Sequence, residues 1–118
     1  MKKMLEDVVK DIKQACGAEA AAIIGRDGLT VSADMPPGVL VETFSIMCAT
    51  ILGAAVTANS ELRHPIPTRV TVDSDDGRII IMGAGKRAIL VVAVKNTVKP
   101  EFVYREMQRG VERIKDLM

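Results

Sequence analysis

From Thr43 to Ser60 the chain carries no formal charge, so any fold it adopts must cover this segment on nearly all sides. Its length approaches that of a bilayer span. Ser45, Thr50, Thr57, Asn59 and Ser60 interrupt it, however, and Gly and Ala dominate its middle. A helix buried in protein is expected, with no membrane insertion. Met35-Pro36-Pro37-Gly38 breaks the preceding pattern and His64-Pro65-Ile66-Pro67 ends the segment, which predicts a long helix from there to Leu62. On a helical wheel Leu40, Phe44, Cys48, Ile51, Ala55, Ala58 and Leu62 share one stripe that can face a sheet. The opposite half presents Ile46, Ala49, Thr50, Gly53, Val56 and Thr57, where a solvent-facing helix would show Lys and Glu. Ala49 and Gly53, four residues apart, would let another helix approach closely.

The flanking chain supplies the rest of one domain spanning residues 1–118. Residues 2 to 16 place Leu5, Val8, Val9, Ile12 and Cys16 at helical spacing, with Gly17 where a C-cap belongs. Ala18 to Gly25 reads as a strand, Arg26-Asp27-Gly28 as a hairpin turn, and Leu29 to Ala33 as the returning strand. Beyond the long helix, Ile66, Val70 and Val72 alternate with polar residues, and Pro65 and Pro67 remove donors, which marks an edge strand. Arg78 to Gly83 and Ala88 to Val94 complete a three-stranded meander, the last an aliphatic run suited to the centre of a sheet. Pro100 opens a final helix with Val103, Met107, Val111, Ile114 and Met118 in register. The order is α-β-β-α-β-β-β-α. A five-stranded antiparallel sheet with the long helix on one face and two helices on the other accounts for every apolar stripe except the second face of the long helix. Burial of that face under a terminal helix would leave the other side of the sheet uncovered.

Composition narrows the function. Lys and Arg number 16 against 15 Asp and Glu, for a net charge of +1, well short of the basic footprint of nucleic-acid binding. Trp is absent, Tyr 1 and Phe 2, so platforms for stacking bases or sugars are scarce. The 2 cysteines, Cys16 and Cys48, form no C-x-x-C pair or disulfide framework, and Met1-Lys2-Lys3-Met4-Leu5-Glu6-Asp7 lacks a signal-peptide apolar region. A cytoplasmic setting is expected.

Three motifs resemble chemistry and fail on context. Gly83-Ala84-Gly85-Lys86-Arg87-Ala88 matches G-x-G-x-x-A, yet Ile89-Leu90-Val91-Val92 continues as strand where a phosphate loop needs a helix N-terminus. Asp73, Asp75 and Asp76 resemble the start of a calcium loop, but Gly77 comes one residue early and Ala84 stands where the bidentate Glu belongs. His64 is the sole histidine, and both cysteines fall on apolar helical faces, so no nucleophile, base and orienting group can be assembled. No catalytic, cofactor or metal residue is assigned, and a non-enzymatic role is expected.

The first helix, the hairpin Gly17-Ala18-Glu19-Ala20-Ala21-Ala22-Ile23-Ile24-Gly25-Arg26-Asp27-Gly28-Leu29, the Ala-rich long helix, the meander ending Ala88 to Val94 and the last helix together resemble the Roadblock and dynein light-chain family. The resemblance extends over nearly the whole chain and is most specific in the hairpin. It implies a profilin-like or longin-like α/β sandwich that dimerises by packing two long helices and joining edge strands. It also implies a platform that binds and regulates a small Ras-like GTPase, as in small prokaryotic members, or an adaptor in a larger motor-like or signalling assembly. Expected partners are a second copy of the chain, a Ras-like GTPase and other Roadblock-like chains. The expected interface residues are Ile46, Ala49, Thr50, Gly53, Val56 and Thr57 on the helix, with Arg69 and Thr71 at the strand edge. A small-molecule sensor is the remaining alternative, and no convergent polar cluster favours it.

Overall fold

The computed structural model describes residues 1–118. Its elements run α1 (Lys2–Cys16), β1 (Ala20–Gly25), β2 (Thr30–Asp34), α2 (Val41–Glu61), β3 (Val70–Asp73), β4 (Gly77–Ala84), β5 (Ala88–Lys95) and α3 (Pro100–Leu117). The five strands form one antiparallel sheet in the order β2-β1-β5-β4-β3. As its continuous aliphatic run requires, β5 is central. Leu90, Val92 and Val94 point to one face and Ile89 and Val91 to the other, all buried.

The two faces carry two cores. On one, Leu5, Val8, Val9, Ile12 and Cys16 of α1 and Val103, Met107 and Ile114 of α3 pack on Ile23, Ile80, Leu90 and Val92. Gly17 closes α1 in the left-handed region, φ 58°, which a glycine enters without steric cost. α1 and α3 cross closely at Gly110: a Cβ there would run into Ile12 Cδ1 and lie 3.3 Å from Leu90 Cδ2. On the other face α2 alone covers a smaller core of Ala22, Ile24, Ile81, Ile89 and Val91 with Cys48 and Leu52. One helix against two leaves the far side of α2 without a neighbour within the chain.

Several boundaries differ from the sequence expectation. α2 begins at Val41 because Leu40 is extended, φ −80° and ψ 91°. β3 begins at Val70 rather than Ile66: Pro65 and Pro67 cannot donate to a ladder, and Ile66 is 74% exposed. The returning strand starts at Thr30, since the Leu29 amide donates to Asp27 Oδ1 at 3.0 Å and stays in the turn. The inner stripe of α2 also needs correction. Leu40, Ala58 and Leu62 are exposed, while Ser45 and Leu52, outside the expected stripe, are buried.

Candidate functional site

Three contacts fix how α2 lies on the sheet. Cys48 and Leu52 anchor its middle in the smaller core. Ser45, fully buried, shares a 2.6 Å hydrogen bond with the Thr30 hydroxyl of β2, so a polar group enters the apolar layer with its partner in place. Ile46 presses on the hairpin turn, where a Cβ at Gly28 would lie 3.3 Å from Ile46 Cγ1. Gly28 has φ +92°, so the Asp27-Gly28 turn both reverses the chain and makes room for the helix.

This seating decides what α2 presents outward. Ile46 and Met47 are about half exposed, at 48% and 50%, and Thr50, Gly53, Ala54 and Thr57 are exposed beside them. The Thr50 hydroxyl donates to Ile46 O at 2.8 Å, so its proton is already used within the helix. Nothing lies within 4 Å of a Cβ built on Gly53. Ala49 and Val56 are half-buried and form the border between this face and the sheet contact. By length and composition α2 could cross a membrane, yet it is docked along one side on the sheet.

The two expected strand residues are placed differently. Arg69 precedes β3 and its guanidinium stacks over the Tyr104 ring at 3.8 Å, on the α3 side of the sheet. Thr71 pairs with Ile80, whose side chain belongs to the α1/α3 core. Both side chains are thus directed away from α2. Val70 and Val72 share the α2 side, as their partners Ile81 and Ile79 do, and Val72 is 39% exposed. Val70, Val72 and the unpaired backbone edge of β3 thus lie on the same side of the sheet as α2. Met47, Ala54 and Val72 lie outside the interface set that the sequence predicts, although alternation along β3 puts Val72 on the same side as Val70.

The sheet has two edges of different quality. The β1–β2 ladder shifts register between Ile23 and Ile24, and such an irregularity blunts further pairing. The β3–β4 ladder runs unbroken from Val70–Ile81 to Asp73–Arg78. Asp73 directs its carboxylate to Arg78 Nε at 2.6 Å, and Gly85 to Arg87 form the β4–β5 turn with Gly85 at φ +80°.

Burial pushes the Cys48 thiol up from 9.0 to about 11, and burial together with the charge of Glu106 raises Cys16 equally. Thiols so shifted are mostly protonated at pH 8, and iodoacetamide is expected to modify the folded protein about a hundredfold more slowly than the unfolded chain. Because folding raises both values, the unfolded chain releases these protons first, so stability falls as the pH climbs past about 9. Alkylation followed by mass spectrometry, with and without urea, checks the rate. Equal rates in both states would contradict the burial.

The Roadblock/LC7 domain profile matches residues 4–93. The protein MJ0714 of Methanocaldococcus jannaschii is 24% identical over 98% of this chain and 97% of its own length. Among solved structures, Myxococcus xanthus MglB superposes with a TM-score of 0.93 at 11% identity, covering 98% of this chain and 88% of that one. Acanthamoeba castellanii profilin IB superposes at 0.71 with 15% identity, over 96% and 98% of the two chains. The layered order of helices and strands, with α2 alone on its side of the sheet, is thus that of a profilin-like sandwich, and the chain belongs to the Roadblock/LC7 domain family.

Proposed function

We propose that two copies of the chain associate through α2 and β3 into a homodimeric, non-enzymatic platform that binds and regulates a small Ras-like GTPase. The observation that carries the dimer is the exposed, uncharged outer face of α2, with Ile46, Met47, Thr50, Gly53, Ala54 and Thr57, on the same side of the sheet as Val72 of an open and regular strand edge. Two-fold symmetry brings that patch against itself: helix faces helix, and β3 meets β3 antiparallel. Small residues at Gly53 and Ala54 let the helix axes approach. Symmetric pairing would merge two sheets into one and give the dimer a broad rigid surface. Membership of the Roadblock/LC7 family supports a GTPase partner, and in this reading the platform acts by holding the GTPase's own switch segments in one of their conformations.

Mixing the purified protein with a small GTPase of the same organism tests this. Co-elution together with altered nucleotide exchange or hydrolysis is the expected result. Co-elution without a change in either rate would assign an adaptor role instead, and the absence of both would contradict GTPase binding.

A further inference from the structure

On the side of the sheet opposite α2, the segment before β3, the end of β4 and the outer flank of α3 enclose an open cleft of about 610 Å³. Arg26, Arg105 and Arg109 line it, and Glu112 is its one carboxylate. Arg26 is held in place. Its Nε and Nη2 both donate to Gly85 O, at 3.1 and 2.7 Å, and a Cβ on Gly83 would lie 2.5 Å from Nη2. The glycine therefore lets the guanidinium lie against β4, and Nη1 keeps its hydrogens free for another acceptor. Arg105 enters no ion pair, and Arg109 reaches Glu106 only at 3.6 Å with its side chain 71% exposed. Glu112 is drawn toward Lys115 at 3.8 Å. The cleft thus carries positive charge in excess, although the whole chain is nearly neutral at +1.

Its apolar residues narrow the choice of occupant. Ile66, 74% exposed, lines the same cleft with Met82 and Val111. A bare phosphate would use the guanidinium groups and leave Ile66 wet, and nucleic acid would require a broader basic field. An extended peptide satisfies both, because alternate residues point to opposite sides of a strand: carboxylates meet the arginines while apolar neighbours cover Ile66. We propose that this arginine-lined cleft binds an extended acidic segment of a partner protein, in which Asp or Glu alternates with aliphatic residues. The cleft lies across the sheet from α2, and only its Ile66–Thr68 wall leads into the β3 edge used by the proposed dimer.

Fluorescence anisotropy with fluorescein-labelled octapeptides alternating Asp or Glu with Val or Leu tests the site, with Lys-for-acid peptides as controls. The acidic peptides are expected to bind and to weaken as salt is raised. Arg105→Glu combined with Arg109→Glu should lower affinity about tenfold, and Ile66→Ser should lower it as well. These positions are exposed, and an unchanged thermal melt confirms that each variant is folded. Failure of every acidic peptide to bind, or binding indifferent to both variants, would overturn the proposal. So would tripolyphosphate binding as tightly as the peptides and insensitive to Ile66→Ser, which would make the cleft a small-anion site.

Discussion

A Gly53→Glu variant is expected to run as a monomer and to melt no lower than the parent chain. Nothing outside its own helical turn lies within 4 Å of the position a Cβ would occupy at Gly53, so the new side chain starts from open space on its own protomer. Replacing glycine within a helix also adds about 0.5–1 kcal/mol of helix stability. In the proposed dimer the same carboxylate would be desolvated between two α2 helices, and by symmetry a second one would face it. Burial of unpaired charge costs several kcal/mol, so the dimer should weaken by at least about a hundredfold. Light scattering after size exclusion, with a thermal melt of the same sample, separates the two effects. A variant that stays dimeric would show that the outer face of α2 is not the interface. One that melts much lower would show instead that this face is covered within the chain.

The second large effect lies across the sheet. Gly110→Val is expected to lower the melting temperature by about 10 °C, from about 2–3 kcal/mol of overpacking. A Cβ at Gly110 runs into Ile12 Cδ1 and approaches Leu90 Cδ2. Leu90 is fully buried in the central strand and cannot retreat, and Ile12 is held between α1 and α3 at 4% exposure. Gly110→Ala should cost less, because its gain in helix propensity, about 1 kcal/mol, offsets part of the clash. Urea denaturation of the three proteins orders them: parent most stable, then alanine, then valine, at unchanged slope. A valine variant as stable as the parent would contradict the close crossing of the two terminal helices.

These two glycines show how far the sequence could be read. Periodicity located α1 fully, since Leu5, Val8, Val9, Ile12 and Cys16 are its buried residues and polar neighbours mark the other face. It placed β5 at the sheet centre for the same kind of reason. It was weaker on α2, where apolar and small residues surround the axis and no lysine or glutamate marks the outside. The helix is rotated from the expected stripe, burying Leu52 and Ser45 and exposing Leu40, Ala58 and Leu62. Ser45 becomes intelligible only once Thr30 is seen opposite it. Nothing in the linear pattern of α3 marks Gly110 as the place where Ile12, far away in the chain, packs against it. The sequence puts Arg69 and Thr71 at the exposed strand edge, but Arg69 stacks on Tyr104 of α3 and the β3–β4 register turns Thr71 to the same side of the sheet. The Arg26 contact with Gly83 and Gly85 was hidden in the same way, because it joins two turns distant in sequence.

Everything proposed for α2 depends on what covers its outer face. Sedimentation equilibrium of the purified chain over a wide concentration range addresses this directly. A species of twice the 12.7 kDa chain mass that persists down to low micromolar concentration is the predicted result, as a self-complementary interface of standard size requires. A monomer at every concentration would contradict the homodimeric platform, and the face from Ile46 to Thr57 would then belong to a different protein.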